Sequence, residues 1–314
     1  MMTKQPSVPS EMRWIEAGAF TMGSLAFYPE EAPLARVRVD GFWIDETPVT
    51  NAEFARFVAA TRHVTGAEIA PDPRDYPGIA PGMDRPGSLV FRKSALPVGT
   101  DDPSAWWEFC LGADWRHPFG PDSSLDGLEQ HPVVHVTWAD AAAYAAWAGK
   151  DLPTEAEWEF AARGGLEGKE YAWGDELAPD GEMLANYWQG LFPFANTLAD
   201  GWERTSPVGS YPANRYGVVD MIGNTWEWTR DWWQGNRKKT SGCCVVHNPR
   251  GGKLKDSIDR ADNLRFGRKV IKGGSHLCAA NYCQRYRPAA RHPESIDTST
   301  GHIGFRCVRR PPNR

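Results

Sequence analysis

The chain of 314 residues is long enough to bury a large core, and its formal net charge is −5. That charge argues against a nucleic-acid partner, because proteins that bind nucleic acids usually present a basic surface. No stretch reaches the roughly 18 consecutive apolar residues of a membrane span, and residues 1–14 contain no apolar core of a secretory signal. We therefore expect a cytoplasmic protein that binds neither nucleic acid nor membrane.

The composition favours short elements joined by ordered loops. The sequence contains 31 Gly, 25 Pro and 15 Trp, a mixture from which few long helices can be built and in which tryptophans provide much of the packing mass. Two stretches, 63–130 and about 234–268, lack periodicity and are expected to be loops over the surface. We expect a flexible terminus at 1–12 and one domain at 13–310.

Three helices are predicted from the same local signal, a threonine followed three residues later by an acid. The threonine hydroxyl can accept a hydrogen bond from the third helical amide, and the acid can reach back to the cap amide. Gly149 and Gly164 can end two of these helices in a left-handed conformation. The capping threonines are Thr50, Thr137 and Thr154.

Strands are predicted around these helices. Residues 36–39 alternate between charged and apolar side chains, and the aromatic run 41–44 follows them. A third strand is expected at 131–136, leading directly into the second helix. Together these patterns predict an α+β domain with little regular secondary structure.

Cys278 and Cys283 are the cysteines that carry a chemical signal. Five positions apart, they can meet only if the backbone turns between them, which the intervening Ala-Ala-Asn run permits. Two converging thiolates would form a soft site suited to Cu(I), and Arg285 and Arg287 would favour the thiolate forms. The spacing alone also allows two small core residues or a disulfide.

Several motifs place the sequence beside a known family. GGSHLCAANYCQRYRPAAR at 273–291 and HIGFRC at 302–307 resemble the active-site stretch of formylglycine-generating enzymes, the sulfatase-modifying factors. LPTEAEWE at 152–159 and GNTWEW at 223–228 also match, in the same order along the chain. The two-cysteine run is the part specific to the active enzymes. The resemblance extends from about residue 13 to about residue 308.

The resemblance implies a C-type lectin-like fold and a copper-dependent oxidase that uses O2. The cysteines matching Cys278 and Cys283 hold Cu(I), and the cysteine of a Cys-x-Pro-x-Arg motif in an unfolded or nascent sulfatase joins as a third thiolate and becomes Cα-formylglycine. A thiol reductant is needed, and we expect a monomer.

By the same resemblance, further active-site residues are Ser275, Tyr282 and Trp226, and substrate-binding residues are Arg285 and His302. His302 stands where the family has Asn, which affects client preference more than chemistry.

The resemblance also implies up to two structural calcium ions, which take oxygen ligands. The first set of matching positions is the side chains of Asn186 and Asp200 with the carbonyls of Tyr187 and Trp202. The second set is the side chains of Asp220 and Glu227 with the carbonyls of Gly223 and Thr225. Asp220 replaces an expected Asn but keeps an oxygen donor.

Two other functions stay open on sequence grounds. The same fold without catalysis could serve as a peptide- or protein-binding module, although the retained cysteine pair argues against this. Iron-dependent sulfoxide synthases share the fold, but they need a separate helical domain with an HxxxHxE-type site, which the sequence does not contain. Cys307 is expected to be a buried thiol, whereas Cys243 and Cys244 could be thiols or a surface metal contact.

Overall fold

The computed structural model describes residues 12–235, 244–259 and 266–312. The expected flexible terminus lies outside these ranges except for Met12, which begins the first strand. The strands are β1 (Met12–Ile15), β2 (Gly18–Met22), β3 (Ala35–Val39), β4 (Phe42–Asp45), β5 (Gly87–Phe91), β6 (Trp107–Leu111), β7 (Trp226–Trp232), β8 (Val246–His247), β9 (Arg268–Lys272), β10 (Arg291–Ser295), β11 (Ile303–Gly304) and β12 (Val308–Arg309). The α-helices are α1 (Asn51–Thr61), α2 (Trp138–Trp147), α3 (Glu155–Arg163) and α4 (Leu254–Ser257).

The three predicted helices are confirmed as α1, α2 and α3, and each begins with a complete capping box. The short side chain of Asp140 reaches the cap of α2, because its Oδ2 accepts a hydrogen bond of 2.8 Å from the amide of Thr137. Helix α3 ends at Gly164 in the left-handed conformation, as predicted. Local hydrogen bonding at the caps thus fixes where these helices start.

The strands form small sheets around one large core. The described sheets have the orders β1-β4-β12, β2-β3-β8 and β10-β9-β7-β11, together with the hairpin β5-β6. Fully buried tryptophans join the sheets to the helices: Trp158 of α3 donates to Glu227 of β7 at 2.7 Å, and Trp228 donates to the carbonyl of Val136 at 3.0 Å. The expected α+β domain of short elements is confirmed.

The strand predicted at 131–136 was wrong. The segment is buried and extended, but it makes only an isolated bridge between Pro132 and Thr50. Pro132 has no amide hydrogen to donate, and His135 has a left-handed φ of 59°, so a regular ladder cannot run through the segment.

The prediction of surface loops throughout 63–130 was also wrong in part. Strands β5 and β6 pair over their full length, from Gly87 opposite Leu111 to Phe91 opposite Trp107. Phe91 and Trp106 are buried in a second, smaller hydrophobic cluster with Trp188, Phe192 and Leu277. This hairpin forms one wall of the cavity that contains the cysteine pair. No helix in the described ranges is long and apolar enough to cross a membrane.

Candidate functional site

The thiols of Cys278 and Cys283 meet in the loop that follows β9. Their Sγ atoms lie 2.8 Å apart. The backbone turns between them, since the amide of Tyr282 donates to the carbonyl of Ala279 at 3.1 Å. The convergence predicted from the sequence is therefore present, and both residues are unbonded cysteines.

Close backbone packing holds this loop in place. Gly274 has a φ of +72°, and a Cβ there would stand 2.6 Å from the carbonyl oxygen of Arg285, so only glycine fits. The amide of Trp188 donates to the carbonyl of Cys278 at 3.0 Å, and the amide of His276 donates to the carbonyl of Asn224 at 3.0 Å. The loop that carries the thiols is thus anchored to two other segments.

The two thiols differ in acidity. Burial disfavours ionisation of Cys278, but the hydrogen bond from Cys283, a backbone hydrogen bond from Ser275 and the charge of Arg285 together lower its pKa. The pKa of Cys283 is raised well above its usual value, because its thiol proton is held by Cys278 and the site is buried. The hydrogen bond between the two sulfurs therefore favours a pair that carries one negative charge.

Arg285 and Arg287 have different roles. Arg285 lies over the ring of Tyr28 at 4.0 Å and pairs with Glu30 at 2.5 Å. Arg287 is buried in an ion pair with Glu31. The charge of Arg285 lowers the pKa of both thiols, in agreement with the prediction for this residue, whereas the effect of Arg287 on the thiols stays a prediction. Since Arg285 also lines the cavity, it can meet a substrate as predicted.

The pair lies in the wall of a cavity of about 330 Å³. Its remaining wall is largely aromatic: Tyr282 stacks on Phe192 with ring centroids 4.5 Å apart, and Trp106 meets Tyr282 edge-on at 5.4 Å. Burial raises the pKa of Tyr282 to about 12, so its hydroxyl stays protonated. An apolar cavity with a few polar groups is the usual form of a ligand site.

The structure brings the other predicted active-site residues to this cavity. Ser275, Trp226 and Tyr282 all line it. His302 lies opposite, with Nδ1 2.6 Å from the Thr300 hydroxyl and its ring 4.8 Å from that of Trp107. Burial, together with the neighbouring imidazoles, holds the pKa of His302 well below its usual range, so His302 is a neutral polar contact.

Sequence reasoning missed several residues of the cavity. The aromatic wall from the 63–130 stretch was hidden because that stretch is rich in Pro, Gly and Asp, although the short apolar run Leu89-Val90-Phe91 in β5 could have indicated a strand. His292 and Glu294 follow the family motif closely but carried no motif of their own. The missed lining residues include Leu89, Trp106, Trp107, Phe192, His292 and Glu294.

The first predicted calcium set contains oxygen donors that converge. Asp200 accepts hydrogen bonds from the amides of Trp202 at 3.0 Å and Tyr187 at 3.2 Å, and from the side chain of Gln189 at 2.8 Å. Gln189 also donates to the carbonyl of Tyr187, so that oxygen lies beside the carboxylate. The side chain of Asn186, however, donates to the carbonyl of Arg204 at 2.8 Å. Carboxylate and carbonyl oxygens suit a hard cation. The side-chain nitrogen of Gln189 faces these two oxygens, whereas its side-chain oxygen accepts a hydrogen bond from the amide of Asp200 at 3.3 Å.

The second predicted set is less suited to calcium than the first, because its buried carboxylate is already paired with a cation. Both carboxylate oxygens of Glu227 are occupied: Arg306 donates to them at 2.7 to 3.0 Å, and Trp158 donates to Oε2 at 2.7 Å. Asp220 keeps one buried oxygen without a hydrogen-bond partner, which a cation could satisfy. Gly223 lies against the carbonyl of Asn186, so this set adjoins the first. Glu227, the other carboxylate of this second set, is paired with Arg306.

Among the residues that the structure describes, no three His, Cys, Asp or Glu side chains converge in a way that could hold a metal. Within the described residues, Cys278 and Cys283 thus have no third such side chain beside them. Neither Cys307 nor Cys244 lines this cavity. Cys307 is fully buried elsewhere in the core, Cys244 is exposed, and Cys243 lies outside the described residues.

The fold has counterparts among solved structures. The structure of PvdO from Pseudomonas aeruginosa superposes with a TM-score of 0.64 at 23% identity, covering 98% of this chain and 99% of that one. At this identity the likeness concerns the fold alone.

Relatives in sequence are much closer. A formylglycine-generating enzyme of Mycobacterium tuberculosis is 50% identical over 96% of this chain and 98% of its own length. From Bos taurus, a formylglycine-generating enzyme is 42% identical over 97% of this chain and 76% of its own length. A bovine protein named inactive C-alpha-formylglycine-generating enzyme 2 is 35% identical over 95% of this chain and 88% of its own length. Residues 1–311 match the sulfatase-modifying factor enzyme 1-like domain, and the chain belongs to this family.

Proposed function

We propose that this protein oxidises a cysteine of client sulfatases to Cα-formylglycine, with Cu(I) held by Cys278 and Cys283 and with O2 as the oxidant. The C–S bond of the client is replaced by C=O, the sulfur leaves as hydrogen sulfide, and a thiol reductant supplies the two further electrons needed to reduce O2. The observation that carries the proposal is the 2.8 Å separation of the two sulfur atoms in the wall of an open cavity. The similarity to formylglycine-generating enzymes over nearly the whole chain supports the same reaction. A merely peptide-binding relative would not need two converging thiols.

The donor set fits a soft metal. Thiolates select Cu(I) over the harder cations, and the lowered pKa of Cys278 makes one thiolate available. With two protein ligands, the site can accept the client thiol as a third. When bound, copper would supply the O2 chemistry that thiols and aromatic rings cannot perform themselves.

The protein residues position the client and exclude water. The rings of Trp106, Phe192 and Tyr282 form a rigid apolar wall beside the thiols, against which an extended client segment can pack. Arg285 keeps positive charge next to the sulfurs, which stabilises their anionic form. The backbone carbonyl of Ser275 accepts a hydrogen bond of 2.9 Å from the amide of Cys278, which helps to hold the loop in place. Holding the client cysteine in place in this way lowers the entropic barrier to reaction.

We further propose that calcium binds at Asp200, with the side chain of Asn186 and the carbonyls of Tyr187 and Trp202. The ion would stabilise a segment with little regular structure. The second calcium site is not proposed, because the carboxylate of Glu227 has another role. The cytoplasmic location, the reductant and the monomeric state stay predictions.

The test is conversion of a Cys-x-Pro-x-Arg peptide by the protein with Cu(I), a thiol reductant and air. Mass spectrometry should show the mass change for replacing CH2SH by CHO. Cys278→Ser and Cys283→Ser should each abolish it, because one thiolate holds Cu(I) too weakly. Cys110→Ser, the same substitution outside the cavity, is the matched control and should stay active. Full activity in either cysteine-pair variant would contradict the proposal.

A further inference from the structure

Glu294 lies at the polar end of the cavity that contains the thiols. It belongs to β10, which is the edge strand of the sheet β10-β9-β7-β11. His292 and Glu294 are two positions apart on this strand, so their side chains point to the same face, and both line the cavity. A strand therefore presents Glu294 to the space where a client segment would lie.

The carboxylate of Glu294 has no cation of its own within the described part of the chain. The cation that acts on it from nearby, Arg268, is paired with Asp259 at 2.7 Å. Burial raises the pKa of Glu294 to about 7, the charge of Asp297 adds to the increase, and the neighbouring Thr298 hydroxyl and Ser295 backbone oppose it. A carboxylate whose negative charge is costly to bury, and which has no cation paired with it, is ready to accept an external cation.

The other groups of the cavity make this carboxylate distinctive. Of the described residues that line the cavity, Glu294 is the single Asp or Glu. Arg285, the cation that lines the cavity, is already paired with Glu30, and His292 and His302 have pKa values below their usual range because they are buried. A positively charged group that enters the cavity therefore finds one anionic side chain besides the thiols.

We propose that Glu294 binds the cationic side chain of the client segment while the client cysteine reaches Cys278 and Cys283. The inference rests on the proposed function, since it takes the client to be a peptide with an arginine near its cysteine. A guanidinium can donate two parallel hydrogen bonds to a carboxylate, which a lysine ammonium cannot match in geometry. Glu294 would thus select clients by a charged group at a set distance from the thiol to be oxidised.

Binding to the copper-free protein tests the proposal apart from turnover. A fluorescent Cys-x-Pro-x-Arg peptide with its cysteine replaced by serine is titrated by anisotropy at about pH 8, where the Glu294 carboxyl is ionised. A second peptide carries citrulline, which is neutral, in place of arginine. The native protein should bind the arginine peptide about 10- to 100-fold more tightly. Glu294→Gln should bind both peptides with equal affinity.

Two further variants complete the design. Thr298→Val, which removes a cavity-lining hydroxyl that favours the ionised form of Glu294, should reduce the discrimination and serves if Glu294→Gln does not fold. Glu16→Gln, an exposed glutamate between β1 and β2, is the matched control and should discriminate as the native protein does. Undiminished preference for arginine in a folded Glu294→Gln or Thr298→Val protein would overturn the proposal, as would equal loss in Glu16→Gln. If the protein prefers the arginine peptide over the citrulline peptide but does not convert the cysteine peptide, Glu294 still binds the arginine and the oxidase function is refuted instead.

Discussion

The buried ion pair between Glu227 and Arg306 gives the sharpest prediction about stability. The two side chains are 1% and 0% exposed. Replacing Glu227 by Gln keeps the size of the side chain but removes the negative charge that compensates Arg306. The family resemblance would instead make Glu227 a calcium ligand, so the variant decides between two roles.

The expected loss follows from the contacts of Arg306. Breaking a buried ion pair by removing one partner costs about 3–5 kcal/mol. Besides Glu227, Arg306 donates to the carbonyls of Glu46, Val219 and Asp220 at 3.0 to 3.1 Å, which partly stabilises the charge that remains. We therefore expect the lower end, about 3 kcal/mol, which corresponds to a fall in the thermal midpoint of roughly 5 °C for a chain of this length.

The assay is thermal and urea unfolding of the native protein and Glu227→Gln, each with calcium and with a chelator. The ion-pair role predicts the same loss in both conditions. Glu108→Gln, which breaks the exposed pair with Arg92, is the control and should cost less than about 1 kcal/mol. If the loss of stability in Glu227→Gln disappears when calcium is chelated, the ion-pair role is wrong and the carboxylate is a calcium ligand.

Two other substitutions test the remaining assignments. Asp200→Ala should lower the thermal midpoint in calcium but leave copper binding nearly intact, because it removes the carboxylate of the proposed calcium site; an unchanged midpoint in calcium counts against that site. The double variant Cys243→Ser/Cys244→Ser should convert the peptide at the native rate, since Cys244 is exposed and does not line the cavity; an inactive double variant would show a function for this pair in the reaction.

Local signals in the sequence predicted the parts of the fold that depend on neighbouring residues. A capping box uses side chains three residues apart, so the starts of α1, α2 and α3 could be read directly from Thr50, Thr137 and Thr154. The turn that joins Cys278 to Cys283 is also local. The prediction failed at 131–136, where an apolar run is buried without becoming a strand because Pro132 and the left-handed His135 interrupt the ladder.

The rest of the site depends on contacts between distant parts of the chain. Glu227 and Arg306 are 79 residues apart, and Arg285 meets Glu30 across 255 residues. Such partners leave no periodic trace in a single sequence. The second calcium set was expected from the resemblance, but Arg306 competes for its carboxylate, and this competition becomes visible only when both residues are placed. For the same reason the role of Glu294 could not be read from its motif.

X-ray absorption at the copper edge tests directly whether Cys278 and Cys283 hold Cu(I). We expect that Cu(I) in the native protein has two sulfur ligands and that a Cys-x-Pro-x-Arg peptide adds a third. Cys278→Ser and Cys283→Ser should each lose the bound metal. Nitrogen or oxygen ligands in place of sulfur, or copper retained by both serine variants, would contradict this expectation.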